Sequence, residues 1–239
     1  MKTLKKITKA FVVDLDSSEN QNILKSSSRP FNNQAHQVNE VVEKIAEKIY
    51  KLIESAKHPD DDIILNHNKI KEAFFSPFKP QLKDAQVFLS HSHVDKNKAL
   101  KVKNYLESET NHRVFIDSLF WDYKDNVLNK LAKYDNTSKI KDAFVFILRE
   151  SLQDMIEKCP YFVFLQSNNS VSNQGLSCTT YSAWVYEELK IAHSLTADSA
   201  LQESRIKAMR VSHNITNLLR RFKSISLDSL CNEIFSTLL

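Results

Sequence analysis

From Asp84 onward the chain alternates short apolar runs with amphipathic stretches. Val87-Phe88-Leu89, Val114-Phe115-Ile116 and Tyr161-Phe162-Val163-Phe164-Leu165 are each the length of a strand. None alternates with polar residues, as expected of strands buried on both faces of a parallel sheet. Between the first two, Ala99, Leu100, Val102, Tyr105 and Leu106 recur at helical spacing; between the second and third come Val127, Leu128 and Leu131, then Ile140, Phe144, Ile147, Leu148, Leu152 and Ile156. Strand–helix–strand repetition predicts right-handed crossovers and a layered α/β fold with a central parallel sheet flanked by helices. Phe222 to Ser226 reads as a last strand and Leu227 to Leu239 as a closing helix, whereas 166–180 reads as a long polar loop.

Upstream the pattern is different. Residues 1 to about 36 read as an irregular arm, with Ala10-Phe11-Val12-Val13-Asp14-Leu15 as a candidate short strand. Val38, Val41, Val42, Ile45, Ile49, Leu52 and Ile53 follow a helical period, reinforced by Glu40/Lys44 and Glu47/Lys51. A second helix is expected from Asp60-Asp61-Asp62 into Ile63, Ile64, Ile70 and Phe74. Ser76-Pro77-Phe78-Lys79-Pro80 looks like a boundary. The chain is therefore expected to divide into an N-terminal arm and helical extension, 1–80, and an α/β domain, 81–239.

Composition narrows the chemistry. The 239 residues contain one glycine, Gly175, against a usual share of about 7%. Neither a GxGxxG turn nor a P-loop can be written, which removes dehydrogenases of the usual type, kinases and P-loop NTPases. Net charge is +4. The one basic excess, Arg205 to Lys223, lacks interleaved aromatics and reads as a solvated helical face, not as a nucleic-acid surface. No run approaches the ~20 apolar residues of a membrane span, and no apolar segment of signal length follows the basic N-terminus. Three widely spaced cysteines, Cys159, Cys178 and Cys231, form neither a disulfide framework nor a zinc ribbon. A reducing cytoplasm is expected.

The sharpest anomaly lies in Trp184-Val185-Tyr186-Glu187-Glu188-Leu189. At ~100° per residue, Trp184, Val185, Leu189, Ile191, Ala192 and Leu195 share one arc. Glu188 projects from its middle and Glu187 from its edge. A carboxylate on a core-facing stripe needs a reason: a cationic partner, a wet first turn, or a site. The strand ends supply further polar groups, namely Ser90-His91-Ser92-His93-Val94-Asp95-Lys96, Asp117-Ser118 with Trp121, and Gln166-Ser167-Asn168. In open α/β sheets ligands bind beyond such ends, although polar strand ends are also ordinary turn chemistry. His91 and His93 lack a third zinc ligand at a familiar spacing, and Ser90 and Ser92 lack a GxSxG elbow. Cys159 reads as core, and Trp121 as a core anchor or a platform for a nucleobase.

These residues resemble the TIR (Toll/interleukin-1 receptor) domains of bacteria. Val87 to Lys96 is similar to their first strand and following loop, Val114 to Ser118 with Trp121 to their second strand and BB loop, and Tyr161 to Ser167 to their third strand. Tyr181 to Leu189 is similar to the helix whose glutamate, four residues after a tryptophan, serves the NAD-cleaving members. The resemblance covers about 84–195. It does not reach 1–80. The chain departs from the family in lacking a BB-loop glycine, in a longer Tyr134–Lys158 segment, and in showing no clear fourth strand.

The resemblance implies a flavodoxin-like layered fold and cleavage of the nicotinamide–ribose bond of NAD⁺. The products would be nicotinamide and ADP-ribose, or a cyclic or related signalling nucleotide, in anti-phage immunity of the Thoeris type. It implies Glu188 as the catalytic residue and substrate contacts from Ser90, His91, His93, Asp117, Ser118, Trp121 and Trp184. No metal or cofactor is expected, NAD⁺ being the substrate. Expected partners are further TIR copies and an effector that senses the product, with no nucleic acid and no membrane. Two other classes remain open: a non-enzymatic TIR scaffold, and a nucleoside-processing glycosidase or transferase of similar fold.

Overall fold

A computed structural model describes residues 7–26, 47–52, 54, 66–75, 84–116, 127–129, 132, 138–174, 177–196 and 212–236. The three predicted apolar runs are strands: β2 (Ala85–His91), β3 (Arg113–Ile116) and β4 (Tyr161–Gln166). They belong to a five-stranded sheet completed by β1 (Lys9–Asp14) and β8 (Lys223–Ser224). Its order is β3-β2-β4-β1-β8, and every pairing is parallel. The layered α/β expectation holds.

The expected N-terminal arm does not. The segment lies within the sheet: Lys9–Asp14 pairs residue for residue with Tyr161–Gln166 and carries β8 on its other side. Phe11 and Val13 are buried, with Ala10 and Val12 nearly so. The missing fourth strand of the C-terminal region is thus supplied from the N-terminus. With β1 taken fourth, the order becomes that of flavodoxin-like sheets, 2-1-3-4-5. The expected boundary at residue 80 also fails to follow the compact units. Residues up to Pro30 join Asp84–Asp117 and Met155–Leu239, whereas Phe31–Lys83 and Ser118–Asp154 form a second unit.

In the first unit, α1 (Ser18–Ser26), α3 (Lys96–Thr110) and α7 (Leu227–Ser236) contact one another through α3, and α5 (Ala183–Thr196) packs on β1 and β2. Phe88, Phe115 and Phe162 form a file of rings across the sheet, with centroids 5.8 Å apart; Phe222 extends it at 5.6 Å from Phe162. Such aromatic pairs contribute about 0.5–1.5 kcal/mol each beyond their area. With glycine so scarce, α3 ends on Asn111 in the left-handed region (φ 54°), the residue best suited after glycine to that position.

Residues 166–180 are not simply a loop. Ser172–Gln174 (β5) and Ser177–Thr180 (β6) form an antiparallel pair that β7 (His213–Asn214) extends. The short helix α6 (Thr216–Leu219) follows, and its Thr216 Oγ1 accepts the Cys178 amide at 2.8 Å. Edge pairing has given structure to a run too polar to read as strands.

In the second unit, residues 47–52 are helical and α2 covers His67–Phe75. The helix α4 (Ser138–Lys158) belongs to this unit as far as Asp154. Lys71 meets Asp154 at 2.8 Å and Glu150 at 3.6 Å, and His67 Nε2 lies 2.9 Å from Glu150. All are exposed or part-exposed side chains, so these pairs register α2 on α4 without adding much stability.

Candidate functional site

The order of the sheet reverses between β2 and β4, and the carboxyl ends of those strands hold the polar residues. Chain direction explains the placement: β2 runs into α3 towards β3, whereas β4 leads away to β5–β6 and α5. In open α/β sheets this is where ligands sit.

Glu188 lies on α5 facing the sheet and is fully buried, whereas Glu187 beside it is only half-buried. Both positions agree with the helical arc. The helix enters this register because Ser182 caps it, its Oγ accepting the Val185 amide at 3.2 Å, while Thr180 Oγ1 accepts the Ser182 amide. Val185, Leu189, Ile191 and Ala192 supply the buried stripe. Ser90, fully buried on β2, donates its hydroxyl hydrogen to Glu188 Oε2 at 2.5 Å. Two residues separated by ninety-eight positions thus meet inside the protein. A hydrogen bond contributes roughly 0.5–1.5 kcal/mol, and about 1.5–3 kcal/mol where the acceptor is ionised, so the pair is anchored as well as placed.

His91 follows Ser90 at the end of β2. Successive side chains of a strand point to opposite faces, so His91 lies on the face away from Ser90. It is buried, and its Nδ1 lies 2.7 Å from the Ser92 carbonyl oxygen. A carbonyl can only accept, so Nδ1 carries the hydrogen. His93 is exposed in the 3₁₀ turn His93–Asp95. Trp184 is half-buried one turn before Glu188. Asp117, Ser118 and Trp121 lie outside the described residues. Of the expected site residues, the structure brings Ser90 and Glu188 into contact, with Trp184 adjoining along the helix. Among the described residues no group of three His, Cys, Asp or Glu is placed to hold a metal ion.

A second polar cluster stands at the same sheet end. Asp95, also buried, accepts the Ser167 hydroxyl at 2.5 Å through Oδ2 and the Asn169 side-chain amide at 2.9 Å through Oδ1. Lys98 Nζ is 3.8 Å from Asp95 and 3.0 Å from Asp16, whose other oxygen accepts the Asn168 amide at 2.9 Å. That amide and Lys98 hold the Asp16 carboxyl below the usual carboxylate range. Asp95 and Ser167 stood in the polar strand ends without an assigned partner, and Asp16 was hidden by the reading of 1–36 as an arm. The detectable signal was an acid or hydroxyl just beyond each of three strands.

Two of the three cysteines are buried. Burial pushes the Cys159 thiol up to about 12 and Cys231 up to about 11, so neither supplies appreciable thiolate near neutral pH. Among the described residues no helix is long and apolar enough to cross a membrane. No family model, curated protein or solved structure matches the chain.

Proposed function

We propose that this protein cleaves NAD⁺ at the nicotinamide–ribose bond, with Glu188 as the catalytic residue. The observation that carries the reading is the Ser90–Glu188 pair, a carboxyl anchored at the switch point of a parallel sheet. Nicotinamide leaves a cationic ring as a neutral molecule, so its departure needs no general acid. The ribosyl centre, which gains oxocarbenium character, is what needs help. A carboxylate beside it stabilises that charge and accepts hydrogen bonds from the ribose hydroxyls, one of which takes the place of the Ser90 hydroxyl. Trp184 forms a wall. The resemblance to bacterial TIR domains supports the same assignment and suggests a cytoplasmic role in anti-phage signalling, with self-association and a product-sensing effector.

A second reading, a non-enzymatic TIR scaffold, draws on the complete burial of both Ser90 and Glu188, which a structural pair also shows. Incubating the purified full-length protein with NAD⁺, and following nicotinamide and the second product by chromatography and mass, separates the two. The expected result is nicotinamide release that survives excess EDTA, because a pyridinium that departs as neutral nicotinamide needs no Lewis acid. No release from an assembled, folded protein favours the scaffold. Loss on chelation with recovery on adding zinc overturns the metal-free mechanism.

A further inference from the structure

We propose that Asp95 is a positioning residue that clasps the carboxyl ends of β1, β2 and β4 together at the sheet end that carries Ser90. The inference rests on the NAD⁺-cleaving reading and deepens it. Asp95 closes the turn after β2 from its backbone, donating its amide to the Ser92 carbonyl at 2.8 Å. That same carbonyl receives Nδ1 of His91, so the geometry of the strand end carrying Ser90 depends on this turn. From its side chain Asp95 reaches the loop after β4. Ser167, which it binds, is the hub of that loop: its Oγ also accepts the amides of Asn169 at 3.1 Å and Ser170 at 3.2 Å. Through Lys98 and Asp16 the clasp extends to the residues just beyond β1.

The arrangement requires two acceptor oxygens at residue 95. In Asp95→Asn, if the remaining oxygen keeps Ser167, the new amide faces the Lys98 ammonium, donor against donor, and meets an acceptor at Asn169 only if that side-chain amide turns over as well. If the amide turns over, it faces a Ser167 oxygen that already accepts two backbone amides, and the Ser167 hydrogen loses its acceptor. Neither orientation keeps the wild-type set of bonds: the first loses the Lys98 contact and requires Asn169 to turn over, and the second loses the Ser167 bond. Adding Asn169→Asp provides an acceptor opposite the new amide, so the double variant regains a matched set. A catalytic carboxyl gains from substrate held in one geometry, and loosening three loops at once removes that.

The test compares wild type, Asp95→Asn and Asp95→Asn/Asn169→Asp as full-length proteins. Nicotinamide release from NAD⁺ is measured well below the melting temperature of each, together with amide hydrogen exchange of the peptide spanning 167–171. In Asp95→Asn, kcat is expected to fall by about tenfold with a smaller change in KM, and exchange of the loop to quicken. The double variant is expected to recover both. Wild-type kcat in Asp95→Asn, or unchanged loop exchange, overturns the proposal. So does a double variant whose exchange is restored while its kcat stays low. A wild-type protein that releases no nicotinamide removes the functional reading, and with it a role for Asp95 in turnover; the exchange measurement still reports separately on the clasp.

Discussion

At the scale of single residues, the position of Glu188 could be read before any fold was known, because helical periodicity alone places it among apolar neighbours. Its partner could not. Ser90 lies ninety-eight positions away, and nothing in either local pattern encodes that meeting. The same holds for Asp95 and Ser167, seventy-two positions apart. Local periodicity reports which way a side chain faces, whereas a contact of high sequence separation depends on strand order. Glu187 and Glu188 give an internal control, since they differ in burial and share chemistry. Glu188→Gln is expected to reduce nicotinamide release by about 10² or more, equivalent to about 2.7 kcal/mol of transition-state stabilisation, with the fold retained by circular dichroism. Glu187→Gln is expected to be nearly silent. Equal losses in the two, or a larger one at Glu187, would refute the assignment.

Among the elements, those with strong apolar periodicity were legible. The strands β2, β3 and β4 and the helices α3, α4, α5 and α7 lie where the pattern places them. The antiparallel strands β5–β7 were not, because Ser172 and Asn173 carry no strand signal, the Thr179–Thr180 pair stands in a short polar run, and these segments take extended form through pairing. The closing helix α7 shows how an element is held by charge as well as by its apolar face. Glu233 accepts Lys9 Nζ at 2.6 Å and Lys223 Nζ at 2.9 Å, tying the helix to β1 and β8. Those two hydrogen bonds bring the Glu233 carboxyl down from 4.5 to about 2. Because the folded value lies below the unfolded one, this contribution is present above about pH 4.5 and fades as pH falls towards about 2. Glu233→Gln should therefore lower the melting temperature slightly at pH 6, with the difference from wild type closing by pH 2–3. The effect is small because the pair is part-exposed and screened by salt. A difference that stayed constant across that range would mean that Glu233 acts through packing instead.

For the molecule as a whole, the decisive feature is the insertion of an N-terminal strand into the interior of the sheet. The apolar run Ala10–Val13 was visible in the sequence, but about seventy residues separate it from β2, and a short isolated strand next to polar linkers reads as an arm. Only parallel pairing with β4 turns it into core. Removing residues 1–80 would strip the β1 partner from every residue of Tyr161–Gln166, leaving β4 paired only with β2, and would leave β8 without its neighbour. Phe162, Val163, Phe164 and Leu165, all fully buried in the intact protein, would then flank an open edge of unpaired amides and carbonyls, an arrangement that promotes aggregation. An 81–239 fragment should accordingly be insoluble, or should unfold without a cooperative transition. A synthetic peptide spanning 7–26, added during refolding, should restore solubility by supplying β1 in trans. The measurement is the soluble fraction and melting profile with and without the peptide, using a scrambled peptide as control. A soluble, monomeric 81–239 fragment that melts cooperatively on its own would show that β1 is dispensable and that the chain divides at residue 80 after all. The outcome also governs how the NAD⁺ assay is read: if the fragment does not fold, its inactivity carries no information about Glu188, and only the full-length chain can report on the site.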